Sequence, residues 1–436
     1  MTDIPAAKSM VLPTSLSSWT KISVFTGLIM GQILPQRFID MVLPAIFRDA
    51  GLALEDFWVF SLASAPYWFK WLWAPYIDHA GSPRIGRRRS IIIPCTLVGA
   101  AVYSVLAFAE PSEGWVWGVV GVLFLAALVM SIQDIAVDGY TLEGLSNAEY
   151  GAASAIFSVG ARFADILSVG GLLVMYEFFG WEATMITAAC LLILFSFPAF
   201  IRKEPPPPPL KQVMIEQKVR PSLIQFIRRK ETPYVLGLVV ALTFALFFTP
   251  VMVASFMRDL GFRWVEIALA IGVTQTLGAV VGGFVGTWVL SRLGFQRAAI
   301  IAAGLSVFAP VGYMTLSIYE APTLTLVLLS AVVFIILYSP LFVVQSAARY
   351  RWVSKSQAGT DFTIQSSCFF LGLNAALACA GFIAGNYGWT VFFAVSSGVF
   401  FLVGGIFALC VNRINRMADE REALLRMTHE KGGLPG

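Results

Sequence analysis

The chain has 436 residues, 58% of them hydrophobic and only 13% charged, with a formal net charge of +4. Soluble domains run nearer a quarter charged, so this composition excludes an ordinary soluble protein and predicts a membrane chain. Divided by the roughly 20 apolar residues that each transmembrane helix needs, the length accommodates about twelve spans.

In chain order, the apolar runs of the first half are Ile22 to Phe47, Phe57 to Ile77, Ile91 to Ala109, Val116 to Tyr140, Ala152 to Tyr176 and Ala183 to Ile201. The second half repeats the pattern with Tyr234 to Phe256, Val265 to Leu290, Ala298 to Ile318, Thr323 to Gln345, Thr360 to Ile383 and Thr390 to Val411. Between them, Arg202 to Thr232 carries five consecutive prolines, Pro205 to Pro209, and many bases, which an apolar helix would not tolerate. The expected fold is an all-α membrane protein of twelve transmembrane helices in two six-helix halves. Residues 1–201 form the N-terminal bundle, 202–232 a cytoplasmic linker, 233–411 the C-terminal bundle and 412–436 a cytoplasmic tail. Within that tail, Asn412 to Lys431 is expected to be a charged, solvated helix.

Orientation follows from the bases. Lys and Arg concentrate in the termini, the linker and the loops 78–90, 141–151, 291–297 and 346–359, whereas the opposite loops hold Arg48, Arg258 and Arg263. By the positive-inside rule both termini are expected in the cytoplasm. The net charge therefore tracks topology, and no basic cluster is interleaved with aromatics as a nucleic-acid groove requires. No cleavable signal peptide is expected at the N-terminus.

All five cysteines fall in or at the ends of apolar runs, and the two histidines, His79 and His429, lie outside them. That pattern predicts no disulfide framework, metal site or cofactor. Hydrolase, phosphate-loop and metalloprotease motifs are missing, so an enzyme is not expected.

The ionisable residues inside the runs are the informative ones, because a charge at the centre of a membrane helix costs roughly 2.5–3.5 kcal/mol on insertion scales and tends to mark a solute or ion path. Asp134 and Asp138, one helical turn apart in Gln133 to Tyr140, share a helix face. Arg37, Lys70 and Arg162 meet Asp40, Asp134, Asp138 and Asp165, all in the first half. Spacings of three allow Arg37 to pair with Asp40 and Arg162 with Asp165 within one helix, which leaves the two acids of the fourth run competing for Lys70. Like charges one turn apart raise at least one proton affinity. Structural salt bridges would use the same residues, so both readings stand at this stage. Asp134 is the first candidate for proton coupling, with Asp138 and Lys70 as modulators. Gln36, Arg37 and Arg162 are the candidate solute contacts of the first half, and Gln275, Gln365 and Asn374 those of the second.

The stretch Pro66 to Asp78, with its internal Lys70, and the loop Ile85-Gly-Arg-Arg-Arg-Ser90 resemble the major facilitator superfamily. The resemblance implies that Asp78, Gly86, Arg87, Arg88 and Arg89 form a cytoplasmic gate. With Gln133 to Tyr140 added, the chain more closely resembles the AmpG-like permeases, a branch that also includes acetyl-CoA transporter-like proteins and some siderophore permeases. This implies a proton-driven importer of the bacterial inner membrane, acting as a monomer on a polar or amphipathic solute such as a muropeptide. A siderophore or other metabolite is the alternative; drug efflux, a channel or a membrane-embedded enzyme fits less well. The glycines Gly278, Gly282, Gly286, Gly381 and Gly385, spaced by four, predict close helix contacts.

Overall fold

Long runs of aliphatic and aromatic side chains leave the backbone only itself to hydrogen-bond with in an apolar surrounding, and helix is the local solution. The computed structural model describes residues 18–82, 84–109, 111–143, 160–201, 226–319, 321–354 and 358–431, and among them there is helix and no strand. Seven of these helices are long and apolar enough to cross a membrane. The proline run and residues 202–225 of the linker lie outside the described residues, as do 144–159 and 1–17.

Helix α1 (Ser18–Arg37) continues through a π turn at Phe38–Val42 into α2 (Leu43–Asp49). The run Phe57 to Ile77, expected as one continuous span, is instead broken. A 3₁₀ turn at Leu54–Phe57 leads into α3 (Trp58–Ala63) and α4 (Ala65–Trp68), and a second 3₁₀ turn at Lys70–Leu72 precedes α5 (Ala74–His79). Pro66 and Pro75 each open a new helical piece, since neither has the N–H that would continue the previous one. The break sets Lys70 in a 3₁₀ turn with its side chain buried.

Beyond it come α6 (Arg89–Leu106) and α7 (Val116–Glu143), then a π turn at Ile166–Gly171 running into α8 (Leu172–Ile201). The remainder comprises α9 (Thr232–Phe248), α10 (Pro250–Asp259), α11 (Trp264–Leu277), a π segment at Gly278–Gly286, α12 (Thr287–Val307), α13 (Val311–Leu316), α14 (Leu324–Trp352) and α15 (Ala358–Lys431). Three apparent helices fold at glycine: Gly180, Gly294 and Gly388 hold φ of 76°, 75° and 79°, between the apolar runs that the sequence separates.

The exterior is apolar. Phe108, Leu409 and Phe284 are 86%, 79% and 77% exposed, a surface suited to lipid rather than water. Inside, glycine lets helices approach. A Cβ on Gly278 would lie 2.8 Å from Ile335, one on Gly286 would lie 2.8 Å from Val343, and one on Gly381 would run into the Leu54 carbonyl. Gly381→Val should therefore lower the melting temperature of the purified protein, through overpacking of about 1–3 kcal/mol. Gly237→Ala, where a Cβ meets nothing within 4 Å, should leave it unchanged or higher. Equal melting temperatures for the two variants would refute the close-contact reading.

Near-identical caps end α2 and α10. Arg48-Asp49-Ala50-Gly51 and Arg258-Asp259-Leu260-Gly261 both finish on a glycine of positive φ, 102° and 86°, and both close with the amide just after that glycine: Leu52 N–H to Phe47 at 2.9 Å and Phe262 N–H to Met257 at 3.1 Å. Arg48 bonds Asp259 at 2.9 Å and Arg258 bonds Asp49 at 2.7 Å, a reciprocal exchange across more than 200 residues of chain. Arg263 pairs with Glu177 at 2.6 Å, and the Trp389 indole donates to Asp259 at 3.1 Å. The three bases that the sequence places on this side are thus all engaged in inter-helix pairs.

At the other end, the segment expected as a solvated tail helix is tied to the bundle. Arg421 bonds Glu231 at 2.7 Å and the Trp352 carbonyl at 3.3 Å, while the Trp352 indole donates to Asn415 at 2.9 Å. Burying Trp352 requires such a partner, and α15 supplies it by continuing past the apolar run.

Candidate solute and proton site

Helix α7 brings Asp134 and Asp138 to one face, and α1 presents Gln32 and Gln36 to the same face. Asp134 binds the Lys70 ammonium at 2.5 Å, with both side chains only 2% exposed. Its other oxygen accepts the Gln32 amide and, at 3.3 Å, the Gln36 amide. Asp138 accepts Gln32 at 3.1 Å and forms no ion pair among the described residues. One glutamine side chain thus bridges two carboxylates one turn apart, and Asp134 is the one in direct contact with the Lys70 ammonium. A buried pair of this kind is held by its hydrogen bonds as much as by its Coulomb attraction. Lys70 also lies 5.3 Å from the Phe370 ring centre. Gln133, on another face of α7, donates to Thr96 at 2.7 Å and packs as a helix tie.

Arg37 does not pair with Asp40, as spacing alone allows; it reaches Asp165 at 2.5 Å. Its place on α1 just before the π turn directs it to the neighbouring helix. Asp40, within that turn, is fully buried and accepts the Ser64 hydroxyl at 2.8 Å. Arg162 stands 3.8 Å from Asp165 and donates to Gln275 at 2.5 Å, which ties the first half of the sequence to α11.

These groups converge on a cavity of about 230 Å³. Of the sequence-derived set, Gln36, Arg37, Asp134, Asp138, Arg162 and Gln275 line it. Lys70 sits behind Asp134. Gln365 and Asn374 are buried off the cavity, and Asn374 donates to the Phe370 carbonyl of its own helix at 3.0 Å. Among the charged and amide side chains of the lining, three were outside that set: Gln32, Asp165 and Arg349. Arg349 fell among loop residues because the apolar run ends at Gln345, but the helix continues to Trp352 and carries it inward.

Around the loop 80–90, Gly86 holds φ of 114°, which L side chains resist, and its amide closes on the Ser82 carbonyl at 3.1 Å. Arg89 donates to the carbonyls of Ile85, Ala199 and Phe200 at 2.8, 2.6 and 2.9 Å, tying the start of α6 to the end of α8. Arg88 is buried against Gly139, where any Cβ would strike its guanidinium, one residue from Asp138. Arg87 is half-buried in the same turn. The Asp78 side chain lies outside the described residues.

The fold is shared by solved transporters. The POT family transporter PepTSo superposes with a TM-score of 0.67 at 12% identity, covering 93% of this chain and 99% of that one. The xylose transporter XylE from E. coli gives 0.65 at 13% identity, covering 89% and 95%. In sequence, the chain is 26% identical to the Anhydromuropeptide permease of Escherichia coli K12 over 383 residues, 87% of this chain and 77% of the relative. An uncharacterized protein of Haemophilus influenzae is 27% identical over 288 residues, 64% of this chain and 66% of that protein. The E. coli relative agrees with the AmpG-like resemblance carried by Pro66 to Asp78 and Gln133 to Tyr140. Residues 28–342 match the family model of the Major Facilitator Superfamily, and the chain belongs to that superfamily.

Proposed function

We propose that this protein is a proton-coupled importer of the bacterial inner membrane that takes up a polar or amphipathic solute, a muropeptide first among the candidates. As a superfamily member it is an integral membrane transporter and not an enzyme. The reading arranges its chain as twelve spans in two six-helix halves, residues 1–201 and 233–411, joined by the linker 202–232, with both termini and the tail 412–436 in the cytoplasm. It acts as a monomer in the lipid bilayer.

The observation that carries the reading is the Lys70–Asp134–Gln32–Asp138 cluster on the cavity wall. With one ammonium facing two carboxylates, a proton on one acid leaves the other to Lys70, and the cluster is neutral. Loss of the proton leaves an uncompensated charge in an apolar surrounding, which is costly until the cavity opens to water or solute. That difference in free energy is what couples a proton to a conformational change. Gln36, Arg37, Arg162 and Gln275 supply donors for the solute, with Gln365 and Asn374 supporting their helices from behind. Asp78, Gly86 and Arg87 to Arg89 form the cytoplasmic gate.

The named E. coli relative favours a muropeptide. The aromatic wall of Phe247, Phe342, Phe369 and Phe370 also suits a siderophore or another amphipathic metabolite. Uptake by proteoliposomes with an alkaline interior, compared between a muropeptide panel and a siderophore panel, tests the reading. Accumulation above the external concentration that collapses with the pH difference is expected for a muropeptide. Equilibration without accumulation would overturn proton coupling, and accumulation of siderophores alone would reassign the solute.

A further inference from the structure

The three arginines on the cavity wall are not equivalent. Each stands over an aromatic ring, Arg37 at 5.4 Å from Phe247, Arg162 at 5.2 Å from Phe342 and Arg349 at 4.9 Å from Phe369. Arg37 and Arg162 are answered by Asp165, and Arg162 also by Gln275. Arg349 has no carboxylate partner among the described residues. Its Nε is buried without a hydrogen bond, and the guanidinium is held between two rings, Phe362 lying 5.6 Å away on α15 beside Phe369. Ser346, one turn earlier on α14, and Ser366 line the cavity next to it.

Rings contribute attraction to a cation but cannot satisfy its fork of N–H donors. A guanidinium left with unused donors on the wall of a cavity of about 230 Å³ is a receptor for a planar or tetrahedral oxyanion, which takes two of those donors at once. The aromatic collar fixes the plane of the fork and removes rotamers that would otherwise be lost on binding.

We infer that Arg349 is the anion anchor of the solute site, binding a carboxylate or phosphoryl group of the solute while Phe362 and Phe369 hold the guanidinium and receive the adjoining apolar part. The inference rests on the proposed reading of this cavity as the solute site, and it specifies an anionic solute whose charge is met on the α14–α15 wall, away from the acids of α7. Arg37 and Arg162, whose charge is already met by Asp165, then offer the solute N–H donors from the opposite wall but not its charge partner.

Minimal ligands separate this claim from the identity of the natural solute. Benzoate, phenyl phosphate and the neutral isostere benzamide are titrated against the full chain in phosphatidylcholine nanodiscs, with thermal unfolding as the readout. Benzoate or phenyl phosphate is expected to raise the melting temperature of the wild type, and benzamide to do so weakly or not at all; whichever anion is stronger identifies the carboxylate or phosphoryl class. Arg349→Gln should weaken the anion by about tenfold or more while its own ligand-free melting temperature stays near wild type. Arg349→Lys should retain part of the effect, because the charge remains while the fork is lost. Anion binding unchanged in Arg349→Gln, or a wild type that does not distinguish benzoate and phenyl phosphate from benzamide, overturns the anchor. Failure of muropeptide uptake with the anion effect intact overturns only the muropeptide reading.

Discussion

Asp134→Asn is expected to abolish pH-driven accumulation in proteoliposomes and to lower the stability of the folded protein by roughly 3–5 kcal/mol. Both effects follow from one contact. The Lys70 ammonium is buried against Asp134 at 2.5 Å, and an amide in that place strands the charge. Because a loss of folding would mimic a loss of coupling, Lys70→Gln with Asp134→Asn provides the discriminating variant. Removing both charges should restore much of the stability, since replacing a buried pair by neutral groups is often close to neutral, yet the proton drive should stay lost. Asp138→Asn separates the roles further. Its partner is a glutamine, so the fold should tolerate the change, and solute exchange at equal pH should continue while uphill uptake fails. Uphill uptake at wild-type levels in both the Asp134→Asn and the double variant would remove this cluster from the coupling mechanism.

Reversing charge in the reciprocal caps should open the end of the bundle that they close. Each of the Arg48–Asp259 and Arg258–Asp49 pairs is about a quarter exposed, so each is worth only about 0.2–1 kcal/mol. Neutralising both therefore shifts an open–closed equilibrium by roughly two- to thirtyfold. Arg48→Asp and Arg258→Asp together go further, for they set four carboxylates against one another. Phe57 is fully buried just inside this end, so a Phe57→Cys reporter in a background lacking the native cysteines should be shielded from an impermeant maleimide. Labelling should rise in the double-reversal variant and fall again when Asp259→Arg and Asp49→Arg are added. Unchanged labelling in the double-reversal variant would show that glycine contacts, not these pairs, seal the end.

Much of the site could be read from the sequence because intramembrane charge is rare and its cost makes it conspicuous. Asp134, Asp138, Lys70, Arg37 and Arg162 announce themselves in apolar runs, and the structure gathers four of the five on one cavity with the fifth against Asp134. What was illegible was pairing. Spacing of three makes Arg37–Asp40 look local, but a π turn rotates the helix between them, and Asp165 from another helix wins. Arg349 escaped for a related reason: hydropathy ends a span where charge begins, whereas the backbone hydrogen bonds of α14 continue for nearly two further turns. The breaks in the Phe57 to Ile77 run are visible in the sequence as Pro66 and Pro75, each of which opens a new helical piece. Asn374 shows the opposite limit. Its amide donates to the Phe370 carbonyl of its own helix, and periodicity does not say whether a polar residue in an apolar run meets solute or backbone.

The twin caps have the symmetry of an assembly. Arg48 meets Asp259 and Arg258 meets Asp49, so residue i of one motif contacts residue j of the other and j contacts i, which is the defining relation of an isologous contact. A surface bearing Arg-Asp-x-Gly at a helix end is therefore complementary to a copy of itself related by a twofold axis. Within this single polypeptide the two motifs differ in nearly every neighbouring residue, yet each meets the other as it would meet a twofold copy of itself.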